Sequence, residues 1–166
     1  MLFRSIRYFF TDTHGVADAT PRPRNGVHAP LFTSTGPAAF ARDPESSQQV
    51  WSAEHGYPGD PEYREFYRDV GWDLDHDYVR PYIQPTGQRK NLGIKYYRIT
   101  GAGEKQIYQR DHALAAASEH ARHFLEERVA QVRKLEGILD RPPMIVAPYD
   151  AELFGHWWYE GPEFLD

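Results

Sequence analysis

Apolar residues fall in short clusters along most of this chain, and one stretch repeats them at helical spacing. Leu114, Ala117, Ala121, Phe124, Val132, Leu135 and Leu139 follow steps of three and four residues, which lines one face of a helix. With Asp111 as its cap, the pattern predicts a long helix over 111–139. Arg128 interrupts the stripe and Val129 continues it next door. His112, His120 and His123 sit on this helix as surface or boundary residues. Asp140-Arg-Pro-Pro then breaks it. The run Met144 to Ala147 is too short for a helix and is flanked by prolines, so it predicts a fully buried strand. A long helix, a short loop and a buried strand in that order indicate an α/β fold with a parallel sheet.

Weaker patterns fill the rest. Residues 5–11 are β-branched and aromatic and predict a strand that ends in Asp12-Thr-His-Gly15. Residues 16–42 carry four prolines and several Gly or Asn breakers with no surviving period, and read as a long loop with Phe32 near its middle. Such loops tend to be functional. Asp43-Pro-Glu opens a helix running to Trp51, since Asp caps, Pro fits the first position and Glu suits the dipole. Gly56-Tyr-Pro-Gly59 is a turn. Asp60-Pro-Glu repeats the cap signature and predicts a second short helix to Tyr67. Asp73, Asp75 and Asp77 alternate, but the glycine and closing Glu of a calcium loop are missing, so 68–77 reads as a solvated acidic loop. Residues 93–100 alternate and predict a strand, followed by a turn at 101–105.

Composition narrows the class. The chain has 166 residues, 40% hydrophobic and 14% aromatic, enough for one ordinary domain. A formal net charge of −5 argues against nucleic-acid binding, which calls for a basic face. Cysteine is absent, which excludes disulfides and thiolate metal sites. No apolar run approaches the ~20 residues of a membrane span, and the start has no signal-peptide core. A soluble cytoplasmic protein is the expectation.

The candidate chemistry lies in 143–161. The predicted buried strand delivers Asp150 to its C-terminal end, where parallel barrels present catalytic groups. Glu152, His156, Trp157, Trp158 and Tyr159 follow. Indole faces beside a carboxylate suit a sugar ring, whose C–H face stacks while its hydroxyls take polar partners. The plainer alternative makes Asp150 a helix N-cap and the Trp pair core packing. Phe32 can cover a cleft or anchor its loop. His14, Trp51 and Trp72 are substrate-contact candidates by residue type, with core packing the alternative for the two tryptophans. Asp12, His14 and His156 match no known ligand spacing, so no metal and no cofactor is expected.

Together these runs resemble glycoside hydrolase family 57, in particular its bacterial and archaeal 1,4-α-glucan branching enzymes. The resemblance rests on Ile6-Arg-Tyr-Phe-Phe10 with Asp12-Thr-His-Gly15, Phe40-Ala-Arg-Asp-Pro-Glu-Ser-Ser47, Gln49-Val-Trp-Ser52 and Gly56-Tyr-Pro-Gly-Asp60. It continues through Tyr63-Arg-Glu-Phe-Tyr-Arg-Asp69 and Gly93-Ile-Lys-Tyr-Tyr-Arg-Ile-Thr100. Most specific is Ala147-Pro-Tyr-Asp-Ala-Glu-Leu-Phe-Gly-His-Trp-Trp-Tyr-Glu-Gly161. The resemblance implies a retaining mechanism on a (β/α)7 barrel without a metal. A Glu attacks the anomeric carbon and an Asp protonates the leaving oxygen. Asp150 maps to that acid/base, Trp157 and Trp158 to the pocket wall, and His156 to a hydroxyl partner. Such a site sets its two carboxyl groups about 5–5.5 Å apart, and burial beside aromatic rings keeps one protonated.

The family's nucleophilic Glu lies upstream of the Ile6 run, and none of Glu45, Glu54, Glu62 or Glu152 stands in its motif context. Branching enzymes tend to carry Tyr where Phe32 stands. The resemblance therefore implies the later portion of an incomplete (β/α)7 barrel, a single partial domain over 1–166. It would act on α-1,4-glucan in glycogen-type biosynthesis and be inactive alone. Its partner would be the missing N-terminal part of the barrel, or another copy of itself. The rival readings are a 4-α-glucanotransferase or α-amylase of the same family, and a non-catalytic glucan-binding remnant.

Overall fold

A computed structural model describes residues 6–52 and 55–166. Ser5, at the head of the first predicted strand, and Glu54 lie outside the described residues. The chain divides into two compact units. Residues up to Gly56 and Arg122–Tyr149 form the first, and Tyr57–Ala121 with Asp150–Asp166 form the second.

The first unit is built on a three-stranded sheet. Its strands are β1 (Tyr8–Thr11), β2 (Leu31–Phe32) and β3 (Ala38–Ala41), in the order β1-β3-β2. β1 and β3 are parallel, with Tyr8 opposite Ala38 and Thr11 opposite Ala41. β2 returns antiparallel, with Leu31 opposite Ala39. The hairpin between them closes where Thr33 N–H meets Pro37 O at 2.9 Å, with Gly36 at φ +112°. The 16–42 stretch is thus not a structureless loop. It holds the central strand of the sheet, the hairpin and part of a one-turn helix, α1 (His14–Ala17). Alanine is a poor strand former, so pairing with β1 rather than local preference makes Ala38–Ala41 a strand.

Helix α2 (Pro44–Trp51) starts as expected. The Asp43 carboxylate accepts the Ser46 N–H at 2.8 Å and Pro44 fills the first turn. The long helix α5 (Arg110–Glu136) also forms, ending before Gly137 rather than at Leu139. Arg128, which breaks the apolar stripe, is buried and reaches α2, donating to Gln49 Oε1 at 2.7 Å and Glu45 Oε1 at 2.6 Å. A buried guanidinium is tolerated because it is paired in this way.

The expected buried strand at 144–147 is not one. Met144 N–H bonds His28 O at 2.9 Å, and Val146 O accepts from Asp43 N–H at 2.8 Å. Those partners are a loop and a helix cap, so no ladder forms. Met144 is exposed and Ile145 to Ala147 are half-buried. With Tyr8, Phe10 and Phe40 of the sheet they line an open apolar groove of ≈ 520 Å³.

In the second unit, three more expectations change. Asp60 opens no helix; its carboxylate instead accepts the Glu62 N–H at 2.8 Å and closes a turn. The acidic stretch folds into two one-turn helices, α3 (Val70–Asp73) and α4 (His76–Val79), capped by the carboxylates of Asp69 and Asp75. Residues 93–100 make isolated bridges, Arg98 with Arg64 and Tyr97 with Ile107, rather than a strand. The core gathers Tyr63, Trp158, Phe164, Leu153, Ala113 and Ala117. A short terminal helix, α6 (Gly161–Leu165), follows the aromatic run. Among the described residues, no helix is long and apolar enough to cross a membrane.

Candidate functional site

Asp150 begins the part of the chain that returns to the second unit. Its backbone carbonyl accepts the Leu153 N–H at 3.0 Å, starting a 3-10 turn over Ala151–Leu153. The capping alternative is not what its side chain does: the carboxylate takes no cap hydrogen bond and is exposed. The turn holds Glu152, which fastens Trp157 twice. Glu152 O accepts the Trp157 N–H, and Glu152 Oε1 accepts the indole N–H, both at 3.3 Å. Between them Gly155 takes φ +92°, a left-handed turn that suits glycine.

Trp157 is half exposed, at 44%. Its ring lies 4.2 Å from that of Phe66, tilted by 30°. His156, also exposed, meets Phe66 edge-on at 5.3 Å and Trp157 at 5.5 Å. Phe66, His156 and Trp157 therefore form one aromatic cluster in the same unit as Asp150. Phe66 carried no signal of its own in the sequence, since it is brought in by long-range packing.

Trp158 goes the other way. It is 1% exposed and packs against Tyr63, Phe154 and Phe164 with ring centroids 5.3, 6.1 and 5.0 Å away. This is the core-packing alternative for one member of the pair. Trp72, expected as a sugar contact or as core, is exposed and donates its indole N–H to Asn91 Oδ1 at 2.7 Å. Three candidates belong to the first unit. His14 is exposed, with Nδ1 4.0 Å from Asp12 Oδ2. Phe32 is 82% exposed beside the hairpin turn, so it does not anchor that segment on a core. Trp51 is partly exposed and meets Tyr149 at 6.5 Å. Among the described residues, no group of three or more His, Asp or Glu is arranged to hold a metal ion.

The same unit holds a buried acid that the sequence did not single out. Glu160 is 1% exposed and accepts the Arg64 N–H at 3.3 Å. Burial raises its carboxyl above the ordinary range, despite the neighbouring Tyr108 hydroxyl and Arg64. The Tyr108 hydroxyl approaches it without the geometry of a full hydrogen bond, and burial and that carboxylate push the phenol up. The Arg64 guanidinium lies over the Tyr159 ring at 3.6 Å. Asp69, fully buried, accepts from Gly71 N, Leu92 N and Gly93 N at 2.8–2.9 Å. Burial alone would raise Asp69, but those three donors and Lys95 outweigh it and hold its carboxyl below the usual range.

No protein-family model matches the chain. It is 35% identical to the 1,4-alpha-glucan branching enzyme of Thermococcus kodakarensis over 178 aligned positions, covering 96% of this chain and 23% of that protein. It is 33% identical to a probable 1,4-alpha-glucan branching enzyme of Mycobacterium tuberculosis, covering 79% of this chain and 22% of that one. The alpha-amylase AmyC of Thermotoga maritima superposes with a TM-score of 0.87 at 55% identity, over 96% of this chain and 32% of that structure. The family 57 branching enzyme of Pyrococcus horikoshii superposes at 0.73 with 36% identity, over 96% and 26%. The chain thus spans about a quarter of the length of the curated relatives it matches. With similarity at this level along nearly its whole length, the chain belongs to glycoside hydrolase family 57.

Proposed function

We propose that these residues form part of an α-glucan branching enzyme, with Asp150 as its acid/base. The observation that carries the reading is the Asp150 carboxylate, exposed and uncommitted to a cap at the head of the turn that fastens Trp157. In a retaining transfer, Asp150 gives its proton to the glycosidic oxygen as the C–O bond breaks, and a glutamate takes up the glucosyl group. Asp150 then receives the proton of an incoming sugar 6-hydroxyl as that oxygen attacks the anomeric carbon; the glucosyl–glutamate ester breaks, the glutamate leaves as carboxylate, and a 1,6 branch forms. Trp157, backed by Phe66, offers the stacking face, and His156 offers a partner for a hydroxyl. No second carboxylate of these 166 residues stands in the family's nucleophile context. A general acid works against apolar walls, and the Asp150 side chain is exposed. The reading therefore takes both the nucleophile and the remaining wall from residues other than these. It also takes β1 and β3, parallel neighbours, as adjacent strands of a (β/α)7 barrel.

The test is incubation of the purified chain with amylose, counting new α-1,6 branches. No branching is expected from these residues alone. Turnover that Asp150→Asn abolishes would show that the second carboxylate is already present.

The 55% identity to an alpha-amylase favours a second reading, hydrolysis, in which water takes the place of the acceptor hydroxyl. Phe32 leans the same way, since a ring without a hydroxyl gives that loop no polar hold on an acceptor sugar. In a version of the enzyme that turns over, reducing ends gained without branches would decide for it. A purely binding role leaves a third outcome, in which maltoheptaose changes the tryptophan fluorescence and neither product appears.

A further inference from the structure

We propose that Lys95 is a positioning residue for the aromatic cluster, its ammonium group fixing Phe66 where that ring supports the Trp157 indole. Lys95 Nζ donates to the Phe66 carbonyl and lies 4.9 Å from the centre of the Phe66 ring. One cation thereby holds both the backbone and the ring of the same residue. The Lys95 side chain is 10% exposed, so its charge sits largely out of water. A desolvated ammonium group needs a partner, and Asp69 Oδ2 lies 3.9 Å away. Asp69 is itself held by the three backbone N–H groups of Gly71, Leu92 and Gly93. Those donors fix the carboxylate in place and keep it ionised, facing the Lys95 side chain.

The consequence runs outward through the rings. Phe66 touches three rings: Trp157 at 4.2 Å, Tyr67 edge-on at 5.2 Å and His156 edge-on at 5.3 Å. Glu152 holds the indole N–H of Trp157, and Phe66 supports its ring. A cation over an aromatic face attracts the ring more strongly as the site dries, and a charge-assisted hydrogen bond is roughly twice as strong as a neutral one. Without the ammonium group, Phe66 keeps neither hold, and the indole loses a fixed backing.

The effect on sugar binding rests on the glucan reading above; the effect on the rings does not. The experiment therefore reads both, in the full 166-residue chain. The indole N–H resonance of Trp157, assigned with Trp157→Phe, reports the Phe66 ring current. Maltoheptaose titration reports binding. In Lys95→Met the resonance is expected to move by more than a line width, towards its position in Phe66→Leu. Maltoheptaose binding is expected to weaken about tenfold, the equivalent of one such contact. Lys95→Arg restores the cation, and is expected to return both readouts close to the wild type. A folded Lys95→Met with the resonance and binding unmoved would overturn the proposal. So would Lys95→Arg with the resonance displaced as in the Phe66 variant, which also decides the matter if the Met variant does not fold. If the resonance moves as described while the wild type shows no response to maltoheptaose, the glucan reading fails and the role of Lys95 stands.

Discussion

The Tyr63 hydroxyl meets His120 Nδ1 at 2.7 Å, joining the turn after Asp60 to the long helix α5. Burial, with Asp60 and Glu160 nearby, raises this phenol well above its ordinary range, so it keeps its proton. His120 Nε2 lies 3.6 Å from Asp60 Oδ2 on the other side of the ring. Tyr63→Phe removes the hydroxyl from a fully buried position. It is expected to cost about 1–2 kcal/mol in urea unfolding, and much less in a chain that already carries His120→Leu. Equal costs in both backgrounds would mean the bond contributes nothing to stability.

Glu160 predicts a pH dependence. Its folded-state carboxyl is raised by burial, so its contribution is fully present below the ordinary carboxylate range. That contribution fades as pH rises through the raised value. Glu160→Gln keeps an acceptor for the Arg64 N–H and cannot ionise. The stability of the wild type relative to this variant should fall with rising pH across that window. A difference that stays level with pH would assign the buried acid no unusual proton affinity.

Asp69 predicts the opposite slope. Its carboxyl is held low, so its contribution is present above the ordinary range and is lost as pH falls through the depressed value. Asp69→Ala strands three backbone N–H groups, each worth about 1 kcal/mol or more when left unpaired. The expected loss is therefore at least about 3 kcal/mol. Unfolding at neutral and acidic pH measures both, and the gap between wild type and variant should narrow in acid.

Asp150→Asn should leave the melting temperature unchanged, because the side chain is exposed and makes no cap bond. Exposed substitutions of this kind stay within about 0.5 kcal/mol. A marked destabilisation would mean that Asp150 serves the fold rather than chemistry.

β1 predicts association. Tyr8, Phe9 and Phe10 are exposed on both of its faces, and among the described residues its outer edge pairs with no strand. An apolar strand of this kind invites pairing. Size-exclusion chromatography of the purified chain should show self-association, reduced by Phe9→Lys. A monomer that melts sharply would count against it.

What the sequence revealed follows from how local each signal is. The cap Asp43 with Pro44, and the three- and four-residue steps of α5, act within a few residues, and both elements form. β3 was hidden because its alanines carry no strand preference and become a strand only by pairing with β1 and β2. The short run at 144–147 looks like a buried strand by composition, yet its backbone partners are His28 and Asp43, which no local pattern announces. Asp60 repeats the Asp43 signature and makes a turn, so the same three residue types serve two structures. In the candidate site, the 147–161 run pointed to Asp150, His156 and Trp157. Phe66, Lys95 and Glu160 stayed silent, because each matters through a neighbour far along the chain.

The cradle around Asp69 limits what evolution or design can put there. Oδ1 faces Gly71 N and Leu92 N, while Oδ2 faces Gly93 N and Lys95. Every neighbour is a donor, so asparagine, the closest match in shape, would have to aim its own NH₂ at one of those pairs whichever way it turned. The neighbouring Gly71 is equally confined, since a methyl group there would fall 1.9 Å from Lys90 O. Two neighbouring sites that look substitutable on paper each penalise even the nearest replacement.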